Sequence, residues 1–108
     1  MEKKFDLVFT IVNRGFSETV MDAARERGAT GGTILHGKGS IAKDMEQFFN
    51  IGLNEEKEAV LIVTPNENRN NIMDGILHAA NLDSGAHGVT FSLPVEDFIV
   101  LKKAHKKD

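Results

Sequence analysis

The run FDLVFTIV at residues 5–12 decides the architecture. It is rich in β-branched and aromatic side chains and reads as a strand. Successive side chains on a strand point to opposite faces. Phe5, Leu7, Phe9 and Ile11 therefore share one side, and Val8, Thr10 and Val12 the other. Both sides are largely apolar, so both are expected to be buried, one under helices and one against neighbouring copies of the chain.

Outward from this strand, Asn13-Arg14-Gly15 signals a turn. Ser17 is placed to cap a helix whose apolar face holds Val20, Met21 and Ala24, running through Arg27 and ending at Gly28. TGGTILH at 30–36 reads as a second strand, with Gly31 and Gly32 marking a bend or a close backbone approach. Gly37-Lys38-Gly39-Ser40 is loop chemistry, and Ile41, Met45, Phe48 and Phe49 then recur at the spacing of a short amphipathic helix. Residues 50–58 read as an exposed connection before AVLIV at 59–63, the most clearly buried strand, which Pro65 ends.

Asn66 is a cap candidate for a second helix with Ile72, Met73, Ile76, Leu77 and Ala80 on its apolar face. A turn at 83–88 leads to the strand VTFSL at 89–93, which Pro94 breaks, and a further strand-like run covers 95–101 before a basic tail. The resulting order predicts an α+β, ferredoxin-like βαββαβ sandwich. It has an antiparallel sheet, two helices on one face, and a long loop between strands 2 and 3.

The 108 residues fit one domain spanning 1–108, with an ordinary balance of 41% hydrophobic and 27% charged residues. A net charge of -3 argues against nonspecific nucleic-acid binding, which relies on lysine and arginine contacts to phosphate. The absence of cysteine excludes disulfides, thiol catalysis and thiolate metal sites. No apolar run approaches membrane-spanning length, so a cytoplasmic protein without membrane insertion is expected.

Gly31, Gly32 and Thr33 with Gly37, Lys38 and Gly39 form the densest glycine cluster. Such backbone can approach an anion, with Lys38 supplying charge, but the spacing matches neither a Walker A loop nor the dinucleotide fingerprint. Spacing alone favours a tight bend followed by a loop. His36, His78, His87 and His105 make no metal signature, and no metal is expected. Asp44, Glu46, Glu55, Glu56 and Glu58 read as a solvated loop face. No serine sits in a nucleophile elbow, and no catalytic set assembles, so the chain is not read as an enzyme. Phe48 and Phe49 are either a satellite of the core or aromatic anchors for a partner.

The run Gly28-Ala29-Thr30-Gly31-Gly32-Thr33, the long loop before 59–63, and Phe91-Ser92-Leu93-Pro94-Val95-Glu96-Asp97 together resemble the nitrogen-regulatory P-II signal-transduction family. The resemblance covers nearly the whole chain in the same order. It implies a ferredoxin-like subunit of a homotrimer, an adenine nucleotide (ATP, ADP or AMP) in each cleft between subunits, and an effector loop over about 37–58. It implies an effector protein as partner, with a membrane transporter as the precedent class. By position, Gly31 and Thr33 fall near the base and ribose. Gly37, Lys38 and Gly39 fall at the start of the effector loop beside the phosphates, and His87, Gly88 and Val89 in the phosphate-gripping turn. Lys102 falls at a basic phosphate contact. Ile41, Met45, Phe48 and Phe49 fall in the partner-binding loop.

The chain also departs from the family pattern. Ala86-His87-Gly88-Val89 stands where Gly-Asp-Gly-Lys is usual, Val100 stands in place of an arginine, and Ser40, Ile41, Ala42 and Lys43 follow Gly39 in place of Gly-Arg-Gln. The resemblance assigns that region to magnesium-ATP and 2-oxoglutarate. Each lost charge-assisted contact is worth roughly 1.5–3 kcal/mol, so a weaker grip on triphosphate follows. With no tyrosine in the chain, loop uridylylation on tyrosine is excluded. A structural or metal-tolerance trimer of the same fold, as in the divalent-cation-tolerance family, is the alternative reading.

Overall fold

A computed structural model describes residues 4–38, 56–82 and 88–101. The elements are β1 (Phe5–Asn13), α1 (Ser17–Glu26), β2 (Thr33–Lys38), β3 (Glu56–Pro65), a 3-10 turn (Asn66–Asn68), α2 (Arg69–Leu82) and β4 (Gly88–Val95). The strands form one sheet in the order β2-β3-β1-β4, with every neighbouring pair antiparallel. This is the ferredoxin-like α+β arrangement expected from the strand and helix order.

β1 is central because it can bury both faces. Asp6, Val8, Thr10 and Val12 are buried, and they alternate with half-buried Phe5, Leu7, Phe9 and Ile11. Val8 and Val12 join Val60 and Ile62 of β3, Val20, Met21 and Ala24 of α1, and Ile72 and Ile76 of α2 in the core. Leu77, expected on the same helix face, is 55% exposed. α1 ends as Gly28 predicts: Gly28 lies at φ 103°, its N–H reaches the Arg25 carbonyl, and the Ala29 N–H reaches back to Ala24. These are the paired hydrogen bonds of a Schellman ending.

Several boundaries differ from the sequence expectation. β2 begins at Thr33 rather than Thr30. Gly32 lies in a close approach, where a Cβ would sit 2.7 Å from Met21 Cε and 2.9 Å from the Leu61 carbonyl. Gly37 and Lys38 are strand rather than loop, because β3 starts at Glu56 and offers Lys57 and Glu56 as their partners. β4 runs through Pro94 to Val95. The proline is tolerated because β4 is an edge strand, with no outer neighbour among the described residues awaiting its missing N–H.

Residues 96–101, expected to be strand-like, carry no regular structure. Ile99 and Leu101 are 85% and 91% exposed, so their apolar composition joins no ladder among the described residues, while the Phe98 ring meets Phe5 edge-on. The helix expected over 41–49, the residues Gly39, Ile41, Met45, Phe48 and Phe49, and also His87 and Lys102, lie outside the described residues.

Candidate functional site at one end of the sheet

The C-terminal ends of β1 and β2 and the N-terminal ends of β3 and β4 meet at one end of the sheet. Gly37 pairs with Lys57, Lys57 with Asn13, and Val12 with Gly88. A cavity of about 330 Å³ opens there between Arg14, His36, Gly37, Glu56, Lys57 and Glu58.

Glu58 organises this end. Its sequence context places it on a solvated loop face, but it is 6% exposed. The alternation Glu58, Val60, Ile62 puts it on the helix-facing side of β3, directly against the start of α1. Its Oε1 accepts the N–H of Gly15 at 3.1 Å and the N–H of Ser17 at 3.0 Å. Burial alone would raise its pKa. Hydrogen bonds from the Ser17 hydroxyl and from the Ser17 and Gly15 amides outweigh that and, with His36 alongside, hold it below the usual carboxylate value. Ser17, expected to cap α1, is instead its first helical residue, and no side chain of the N-cap residue Phe16 makes a cap bond. The acceptor comes from β3.

The other Glu58 oxygen, Oε2, lies 3.2 Å from His36 Nδ1, with the imidazole 70% exposed. Beside this pair, Arg14 grips both oxygens of Glu56 at 3.0 and 2.9 Å, and Lys57 Nζ donates to Asn13 Oδ1 at 2.6 Å. Lys57 is itself 6% exposed. Lys57 and Glu58 are thus buried and paired where an exposed connection is expected, whereas Glu56 is exposed as expected and pairs with Arg14 in solvent. One signal for it was readable: a glutamate two residues before Val60 on the core side of an apolar strand.

Asn66, expected to cap the second helix, instead donates through Nδ2 to buried Asp6 at the opposite end of the sheet, where Arg69 also binds the same oxygen.

The site residues singled out in the sequence divide between two edges. Thr33, Gly37 and Lys38 lie on the edge strand β2, with Gly31 just before it, whereas Gly88 and Val89 open the opposite edge strand β4. Three strand spacings, roughly 14 Å, separate these edges, so one chain does not bring the two sets together. Among the described residues nothing lies within 4 Å of a Cβ built at Gly31 or Gly37, which leaves both backbones open to an approaching group on that side. Gly88 has a different reason to be glycine: a Cβ there would run into the Ile11 carbonyl.

The sheet face away from the helices is open and apolar. Leu35, Val63, Phe91 and Leu93 are 38–50% exposed on it, and the Phe9 and Phe91 rings stack with centroids 5.2 Å apart. Among the described residues no group of three or more His, Asp or Glu is placed to hold a metal ion, and no helix is long and apolar enough to cross a membrane.

A family model described as Nitrogen regulatory protein P-II matches residues 5–105. No curated protein sequence matches the chain. Among solved structures, the crystal structure of Arabidopsis thaliana PII bound to citrate is similar with a TM-score of 0.69 at 24% identity, covering 93% of this chain and 85% of that one. A Bacillus cereus protein related to NIF3 is similar with a TM-score of 0.67 at 14% identity. There 88% of this chain matches 26% of the larger protein, which speaks to the fold alone.

Proposed function

Because this chain belongs to the nitrogen regulatory protein P-II family, we propose that it is a signal-transduction regulator acting by binding rather than catalysis. It takes an adenine nucleotide in clefts between the subunits of a homotrimer. The observation that carries this reading is the division of the glycine-rich positions between opposite sheet edges. Gly31, Thr33, Gly37 and Lys38 of one copy need Gly88 and Val89 of another to close a site, and Gly39, His87 and Lys102 belong to the same proposed set. The open apolar sheet face supplies the surface on which copies would associate.

The regulated target is an effector protein, with a membrane transporter as the first class to test, engaged in the cytoplasm through Ile41, Met45, Phe48 and Phe49. Capture of such a target is expected to fail for Phe48→Ala/Phe49→Ala, and unchanged capture would remove those residues from the interface.

Thermal unfolding with ATP, ADP and AMP tests the ligand. Citrate joins the panel because the Arabidopsis PII protein was crystallised with it. A nucleotide at a hundred times its Kd stabilises by about 2.7 kcal/mol, a shift of several degrees for a domain of this size. No shift with any adenine nucleotide would overturn the ligand assignment, and a monomer by light scattering would overturn the inter-subunit cleft.

A further inference from the structure

We propose that residues 98–101 of one copy lie as an added strand along the free edge of β2 in a second copy, so that each copy gives one strand and receives one. This contact rests on the reading that copies of the chain associate, and it joins them at a place other than the open sheet face.

The segment is a strand without a ladder. Phe98, Ile99, Val100 and Leu101 are four apolar residues in succession, three of them strongly β-favouring. They are 49%, 85%, 66% and 91% exposed, and no strand among the described residues pairs with them. Their backbone donors and acceptors are free of any sheet, the state in which an extended segment adds to an open edge.

Chain geometry decides whose edge receives it. β2 and β4 are the two edges of the sheet. To lie outside its own β2, the segment would have to cross four strand spacings from β4, roughly 19 Å. The chain from Val95 to Phe98 reaches at most roughly 11 Å. Folding back along its own β4 needs a reversal at Glu96-Asp97, which lacks the glycine that tight two-residue hairpins favour.

β4 is also the poorer template in any copy, because Pro94 removes one of its N–H donors. Every residue of β2 (Thr33–Lys38) keeps its N–H. Its side chains offer apolar contact on both faces: Ile34 packs on the core, and Leu35 is 50% exposed on the open face. A strand with Phe98 and Val100 on one side and Ile99 and Leu101 on the other extends both faces. The giving and receiving surfaces differ, so the contact runs head to tail and a ring closes it.

Light scattering and amide hydrogen exchange on the full chain test this, comparing wild type with Ile99→Pro/Val100→Pro. Two adjacent prolines remove a ladder donor whichever way the strand faces. Phe98 is kept, and with it the contact to Phe5. In an assembled wild type, the amides of residues 33–38 that face away from β3 are expected to exchange slowly. In the variant they are expected to exchange about tenfold faster or more, while protected β1 and β3 amides report a folded domain.

Fast exchange on the outer side of β2 in an assembled wild type would overturn the added strand and leave association of copies intact. Slow exchange that the prolines leave unchanged in a folded variant would also overturn it, because another group would then cover the edge. A wild-type mass of 11.9 kDa, that of one chain, would overturn both.

Discussion

Glu58 Oε1 accepts the backbone N–H of Ser17 at 3.0 Å, so the first turn of α1 is capped by a side chain from β3, 41 residues further along the chain. The same oxygen takes the Gly15 N–H, and Gly15 holds a positive φ of 97° that turns its amide inward. One buried carboxylate thus ties β3 to the β1–α1 turn.

Removing that acceptor leaves two inward-facing amides without a partner. Glu58→Ala is expected to cost about 1–3 kcal/mol, and Glu58→Gln, which keeps an acceptor oxygen, less. Chemical denaturation at neutral pH measures both, and a loss below a few tenths for Glu58→Ala would mean water replaces the cap at no cost.

The carboxylate also sets an acid dependence. Its folded pKa is lowered from 4.5, so its contribution to stability is fully present above that value and is lost as pH falls through the folded pKa. The stability difference between wild type and Glu58→Gln is therefore expected to shrink below pH 4.5. A difference that stays constant down to pH 3 would contradict this.

Gly88 faces the Ile11 carbonyl with no room for a Cβ. Gly88→Ala is expected to destabilise by about 1–3 kcal/mol through displacement of the edge strand. Gly31→Ala, with nothing within 4 Å, is the matched control and is expected to be near neutral for folding. Equal denaturation midpoints for the two variants would show that β4 yields without cost.

Gly28 carries the Schellman ending of α1 at φ 103°, and a Cβ there would also press on Asn68 Nδ2 at 3.1 Å. That Asn68 amide, with Asn71, donates to the Arg27 carbonyl. Gly28→Ala is expected to cost about 1–2 kcal/mol, measured by thermal unfolding, with Ala29→Gly as a neighbouring substitution outside the left-handed position.

Phe91→Asp and Leu93→Asp place charge on the open sheet face without entering the helix-facing core. If copies associate through that face, light scattering will show wild type well above the 11.9 kDa of one chain and the variants close to it. Variants that keep the wild-type mass would move the association surface elsewhere.

The order of elements was legible because each apolar strand or helix carries its own period: the two-residue alternation of residues 5–12, the unbroken AVLIV, and the Ile72–Ile76 spacing of α2. The ending of α1 was legible too, because a glycine at a left-handed position acts over one turn of chain. Lys57 and Glu58 were misread for the opposite reason. Their charge signals solvent in isolation, and partners distant in sequence, the N–H groups of Gly15 and Ser17 for Glu58 and the Asn13 Oδ1 for Lys57, help make their burial tolerable. Residues 96–101 depart from the strand-like expectation because β propensity requires a partner strand, and among the described residues none pairs with them.

By itself the sequence determined the ferredoxin-like order and the positions where backbone stays free of side chains, since periodicity and glycine act locally. Tertiary structure alone decided that Gly37 and Gly88 stand on opposite edges of one sheet and that Glu58 and His36 meet at its end. Those relationships depend on strand order and register, which bring together residues that no local pattern links.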